Sequence, residues 1–331
     1  PSTNAAAPSL MVFGPGLSAK GFIRKALAEG WAVAATYRRD EARAMLQDMG
    51  AAPVFFDGQT FDAASAPVVP THILTSIAPE RPSDATLKAD NADAAQTTHS
   101  RLSGTHSQQK GGPAVQDLDP VLACATSWLE SRAASISWLG YLSATTVYGD
   151  HGGAVVSEHT PPAPSQTRGR RRLAAERAWQ ALSQRLGARC HVFRLAGIYG
   201  PGRNAVRTFL DGKAKSVVKP GHLFSRIHAD DIAQALWLAA SQSHIGSDIF
   251  NLADEKPMAG PDVTALVGRK LGLPLPAPVA FEDAELSAFA RSFYSDNKIV
   301  SSHYTRQTLG LTLKYPTLES ALDDLIACER G

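Results

Sequence analysis

Cysteine is scarce: Cys124, Cys190 and Cys328 are the only three in 331 residues, an odd number with no C-x-x-C pair. That excludes a disulfide framework and a paired-cysteine zinc site, and it points to a reducing compartment; no metal is expected. Missing too is any apolar run near the roughly 18 residues that span a bilayer, or a basic-then-apolar opening, so a soluble protein is expected. Charge of one sign is also lacking, with 33 Lys and Arg against 31 Asp and Glu and a formal net charge of +2. No global field then favours nucleic acid or an anionic membrane, neither is expected as a partner, and any anion site must be local. The opening Pro1–Ser9 contains no Met and no acid and reads either as a trimmed end or as the remnant of a removed targeting peptide.

What is present is a chain with 44% hydrophobic residues, enough for a substantial core. Leu10–Phe13 is a short apolar run that ends in Gly14-Pro15-Gly16, and Phe22, Ile23, Ala26 and Leu27 then share one helical face. Gly30 closes that helix and Trp31–Tyr37 supplies a second strand, completing a βαβ unit. The alternation continues with helix 40–49, strands 53–56 and 72–76, helix 120–132, strand 137–143, helix 168–186 and strand 191–195. Repeated strand–helix pairs imply a Rossmann-like, doubly wound parallel sheet of the α/β class.

A dinucleotide-binding Rossmann domain is therefore expected over 10–200, behind an N-terminal tail 1–9. Residues 80–118, rich in Ala, Thr, Ser and Gln without a sustained period, read as a long surface insertion. After Pro201 the pattern becomes irregular, with helices expected at 229–241, 260–271, 281–290 and 317–328. Residues 201–331 thus read as a small C-terminal substrate-type lobe interleaved with the last Rossmann elements.

Gly14-Pro15-Gly16-Leu17-Ser18-Ala19 matches G-x-G-x-x-G/A, with a strand before it and a helix after. Gly14 allows the tight turn, Gly16 lets backbone amides approach a pyrophosphate, and Ala19 permits close helix–strand packing. The second strand ends in Arg38-Arg39, where an acid would accept from the ribose of NAD. Guanidinium groups suit a 2'-phosphate, so NADP(H) is favoured over NAD(H), the alternative being a solvated pair at a strand end. Asp57 could accept from the adenine amino group or be an ordinary turn residue.

With these segments in hand, the chain resembles the short-chain dehydrogenase/reductase superfamily, specifically atypical members similar to NAD-dependent epimerase/dehydratases. The resemblance rests on the glycine loop, Leu142–Asp150, Arg194–Arg203, Arg226–Ile232, Phe250–Ala253 and Asp296–Lys298. It implies that Ser76, Ala78, Ala196 and Gly197 also belong to the cofactor site. It implies too a Ser or Thr four residues before the Tyr of V-Y-G, and a Tyr-x-x-x-Lys pair opening the next helix, which together move protons. Here those positions hold Ala144, Arg168 and Arg172.

A guanidinium stays charged and cannot act as a general base, although Arg172 could still hydrogen-bond a ribose. Ser143 and Thr145, expected on the strand face opposite Ala144, and Tyr148 are possible substitutes, with His151, Asp119 and Tyr199 as further candidates. His228 and Asp231 read as fold-stabilising. Arg194, Arg226 and Lys298 could meet an anionic substrate or be structural. The cluster Arg168–Arg172 reads as a solvated basic first turn or as a patch for phosphate or an acidic partner.

Two functions compete on this reading. One is an NADP(H)-binding protein with a degenerate active site and a structural or sensing role, one form of which is an accessory subunit with a protein partner at the 80–118 insertion or the arginine cluster. An accessory subunit of the mitochondrial respiratory NADH dehydrogenase supplies an analogy. The other is a divergent NADP-dependent oxidoreductase or epimerase/dehydratase with a nonstandard proton carrier, acting on a small or nucleotide-linked substrate.

Overall fold

The structure, a computed structural model, describes residues 7–79 and 119–330. The expected insertion at 80–118, and most of the expected tail, lie outside the described residues. Β-strands run in the order β1 (Ser9–Phe13), β2 (Ala32–Tyr37), β3 (Ala52–Phe55), β4 (His72–Thr75), β5 (Trp138–Ala144), β6 (Val155–Val156), β7 (Arg189–Leu195), β8 (Gly197–Tyr199), β9 (Ser216–Val218), β10 (Arg226–His228), β11 (Asp248–Leu252), β12 (Pro278–Ala280) and β13 (Ile299–Val300). Seven of them form the central sheet in the order β11-β7-β5-β4-β1-β2-β3. Every pairing in it is parallel.

Alternation along β1 explains the layering. Leu10 and Val12 enter one core with Phe22, Ile23 and Leu236, while Met11 and Phe13 enter the other with Trp128, Tyr141 and Trp179. Helices Leu17–Ala28 and Ala229–Ser241 cover the first face; helices Pro120–Glu130 and Thr167–Leu186 cover the second. Gly21 lets the first two helices touch, since a Cβ there would sit 2.6 Å from Ala233 Cβ. A third core, with Val206, Phe209, Val267, Leu318 and Leu322, belongs to the C-terminal part of the chain. The pairs β8–β10, β9–β12 and β6–β13 form two-stranded sheets beside the main one.

The helix expected over 281–290 is not formed as such; only Ala288–Arg291 is helical. Ser287 caps it by accepting from Ala290 N–H, and the Arg291 side chain donates to the Phe281 and Ala284 carbonyls, which a continuous helix would have used itself. Among the described residues no helix is long and apolar enough to cross a membrane.

Candidate functional site

Strand order reverses between β1 and β4, and ligands of open α/β sheets settle outside the carboxyl ends of strands at such a point. The glycine turn sits there. Gly14 has φ of 85°, and a Cβ on it would lie 2.8 Å from Ile77 Cγ1 and 2.9 Å from Ser76 Oγ, so only glycine fits. Its N–H donates to Thr36 Oγ1 at 2.9 Å, and Ser76 Oγ donates to its carbonyl. At Gly16, by contrast, an added Cβ would meet nothing within 4 Å. Helix Leu17–Ala28 begins with Gly16 at its N-cap, no side-chain cap and no acid in its first turn, which leaves its positive end open to an anion.

A cleft of about 740 Å³ faces this turn. Gly14, Pro15, Gly16, Ser76 and Ala78 line it from the turns, and Arg38, Arg39 and Asp57 line it from the ends of β2 and β3. Leu17 and Ser18 do not line it, and Ala19 is fully buried against the first core. Asp57 Oδ1 accepts from the Gln59 and Thr60 amides at 2.8 and 2.7 Å. Those bonds, that of Thr60 first, hold its pKa below the usual carboxylate value. Lys20, one turn into the helix, also lines the cleft and was not anticipated.

A second cavity of about 520 Å³ opens beyond β5, β7 and β8. Ala144 and Thr145 line it, as do Ala196 and Gly197, which the family pattern assigns to the dinucleotide. Ser143 and Thr145 do not share a face as expected. The chain leaves β5 at Ala144 and enters a 3₁₀ turn over Thr145–Tyr148, swinging Thr145 toward the cavity. Ser143 points the other way and donates to Glu176.

The remaining proton-carrier candidates mostly serve the fold. Tyr148 is buried, donates to Asn251 Oδ1 at 2.7 Å, and lies under the Arg194 guanidinium at 4.8 Å; burial raises its pKa. Asp119 caps helix Pro120–Glu130 and accepts from Trp179 Nε1 at 2.9 Å. His151 Nε2 stands 3.1 Å from the Tyr148 carbonyl. Tyr199 is different: it lines the second cavity, is 5% exposed, and its hydroxyl has no hydrogen-bond partner.

The arginines also separate. Arg168 lines the second cavity, with its guanidinium 4.6 Å from the Phe293 ring centroid and Nη2 donating to the Ser292 carbonyl at 3.4 Å. Arg170 turns outward onto Ser165 O and Thr167 Oγ1, both at 2.9 Å. Arg172 turns inward, donating to Tyr141 Oη at 3.1 Å and Leu142 O at 3.0 Å. It lines neither cavity, and both of these contacts lie at the helix–sheet interface. The cluster is therefore not one solvated patch.

Arg194 is likewise no substrate ligand. It forms a bidentate pair with Glu176 through Nε at 3.1 Å and Nη2 at 2.8 Å, and both side chains are 2% exposed. Arg226 and Lys298 do line the cavity while donating to carbonyls, Arg226 to Phe224 at 2.9 Å and Lys298 to Gly149 at 2.8 Å. Burial lowers the pKa of the Lys298 ammonium. His228 caps helix Ala229–Ser241, and Asp231 accepts from the Lys314 and Tyr315 amides. Among the described residues no group of three His, Cys, Asp or Glu could hold a metal ion.

Asp254, just after β11, was not anticipated. It is 4% exposed, neither carboxylate oxygen has a hydrogen-bond partner, and burial, opposed by nearby Arg226, pushes its pKa up to about 7. An acid with a raised native pKa binds its proton more tightly when folded, so its contribution is present below the unfolded value near 4 and is lost as pH rises through about 7. Asp254→Asn is expected to gain stability over the parent between pH 5 and pH 8, on the order of 3 kcal/mol, in urea unfolding at the two pH values. Parallel pH profiles for the two proteins would refute it.

Fold and clefts together define a Rossmann-like α/β protein. Residues 127–253 match the model of the NAD dependent epimerase/dehydratase family. That stretch runs from helix Pro120–Glu130 to just past β11. It is 35% identical to a functionally unknown conserved protein from Silicibacter pomeroyi DSS, covering 97% of this chain and 99% of that one with a TM-score of 0.77. MoeE5, solved in complex with UDP-glucose and NAD, shares the fold at 20% identity, 97% and 98% coverage and a TM-score of 0.69. Protein YeeZ of Escherichia coli (strain K12) is 29% identical over 177 residues, 53% of this chain and 58% of that protein, so the match spans under two thirds of it.

Proposed function

We propose that the chain binds NADP(H) in the cleft of the glycine turn and uses it as a bound ligand, in a structural or sensing role, rather than turning it over. The observation that carries the coenzyme is the joint facing of Gly14, Gly16, Arg38 and Arg39 onto one cleft. A pyrophosphate fits the open space at Gly16 and the uncapped helix start, and Arg38 and Arg39 suit a 2'-phosphate. When bound, the nicotinamide supplies hydride chemistry. At the described positions to which the family pattern gives the proton carriers, Ala144 has no hydroxyl, Arg168 stacks on Phe293 and Arg172 is engaged with Tyr141, which supports this reading. A site kept for binding still stabilises the fold by mass action. A role as an accessory subunit of a larger assembly is compatible with this reading.

A second reading has one observation in its favour. Tyr199 and Thr145 both line the second cavity, and the Tyr199 hydroxyl, buried behind its wall, has no hydrogen-bond partner, which supports a divergent oxidoreductase or epimerase with a nonstandard proton carrier. Fluorescence titration with NADPH and NADH, followed by coenzyme-consumption assays over carbonyl compounds and nucleotide sugars, separates the two. Tight NADPH binding without turnover is expected. Turnover that disappears in Tyr199→Phe would replace the first reading with the second.

A further inference from the structure

Residues 282–296 cross one side of the second cavity with little regular structure: one helical turn, Ala288–Arg291, and a 3₁₀ turn, Ser292–Tyr294. Ser292, Phe293 and Asp296 face the cavity from this strap, yet no residue from 285 to 296 enters any of the three cores. Among the described residues, no backbone–backbone hydrogen bond ties 285–296 to another element. A segment with so few buried contacts sits at the low end of local stability.

Side chains tether it instead. On one flank Lys219 Nζ donates to the Tyr294 carbonyl, and the Tyr294 ring packs on Phe281, Phe224 and His222 with centroids 4.9, 5.1 and 5.4 Å away. The tethers on the other flank come from the start of helix Thr167–Leu186. Gln166 Nε2 donates to Ser292 O, Ser295 Oγ and Asp296 Oδ2, each at 3.1 Å, and Ser165 Oγ donates to Asp296 Oδ1 at 2.5 Å. Arg168 adds a different grip. Its Nη2 donates to Ser292 O at 3.4 Å, and its guanidinium lies 4.6 Å from the Phe293 centroid and 5.8 Å from that of Phe289. Those two rings meet edge to face at 4.9 Å and are 43% and 55% exposed. Rings so exposed gain little from burial, so a planar cation over them carries more of their attachment.

We propose that residues 285–296 are a movable wall of the second cavity and that Arg168 is the clasp that holds this wall in place. The flank at Lys219 and Tyr294 then serves as its hinge side. The position that the family pattern gives to a proton carrier sets, in this chain, how often the wall swings out. The inference goes beyond the coenzyme reading and stands without it.

Hydrogen–deuterium exchange of the full chain, read peptide by peptide by mass spectrometry, tests this. In Arg168→Gln the amides of 288–296 should exchange about fivefold faster than in the parent, while peptides of β1, β5 and β7 keep the parent's rate. Phe293→Ser, at an exposed position, should have a similar effect, and the double variant should exchange no faster than either single one, because each removes the same contact. Arg168→Lys should recover part of the protection. Arg170→Gln, whose side chain turns outward, should change nothing in the strap. Unchanged exchange in Arg168→Gln, effects of the two single substitutions that multiply in the double variant, or an equal rise in the peptides of β5 and β7 would each overturn the proposal. None of these readouts needs the coenzyme, so loss of NADPH binding alone would sink only the coenzyme reading.

Discussion

Glu176→Gln should cost about 3–5 kcal/mol of folding stability, the usual penalty for leaving one member of a buried ion pair alone. Arg194 and Glu176 are both 2% exposed, and Glu176 also receives the Ser143 hydroxyl, so the substitution strands a buried guanidinium over the Tyr148 ring. The pair joins helix Thr167–Leu186 to β5 and β7 directly under the turn that presents Ala144 and Thr145, so the second cavity should loosen as well. Removing both charges in Glu176→Leu with Arg194→Met should restore most of the stability, because the desolvation cost disappears with the pair. Urea unfolding of the three proteins measures both effects. A loss under about 1 kcal/mol in Glu176→Gln would mean the pair does not anchor this helix.

The double variant Arg38→Gln with Arg39→Gln should weaken NADPH about 100-fold while changing NADH less than about threefold, an energy near 3 kcal/mol. Both arginines are exposed at the rim of the first cleft, so the change should act on binding and not on folding. Fluorescence titration with each coenzyme gives the two ratios. Equal weakening of NADPH and NADH would show that the arginines supply general attraction and do not read the 2'-phosphate.

The cofactor end was legible in the sequence because its grammar is local. A strand, a glycine turn and a helix lie within one short stretch, and the structure places Gly14, Gly16, Arg38 and Arg39 on one cleft. Helix Thr167–Leu186 could be read to within a residue, and Gly187 adopts the left-handed conformation that ends it. The chemistry end resisted because its side chains are placed by tertiary contacts. Arg168 and Arg172 lie one turn apart, yet one meets Phe293, far downstream, and the other meets Tyr141 on the sheet. Thr145 left the strand alternation through a 3₁₀ turn that periodicity does not register. Tyr148, Arg194 and Asp119 looked available for chemistry until the partners that bury them, Asn251, Glu176 and Trp179, came into view. Asp254 gave no local signal, since it gains meaning only beside Arg226 from another strand.

The edge of the central sheet imposes a condition on the rest of the chain. Strand β11 completes the sheet by pairing with β7 from Asp248 opposite His191 to Leu252 opposite Leu195. A fragment ending near Gly200 would keep the glycine turn but bare the ladder of β7 and strip Ala233 from Gly21, offering a sticky border to other chains. The nucleotide half therefore cannot be lent to another protein as a detachable cassette; whatever acquires it must take on the downstream strand as well.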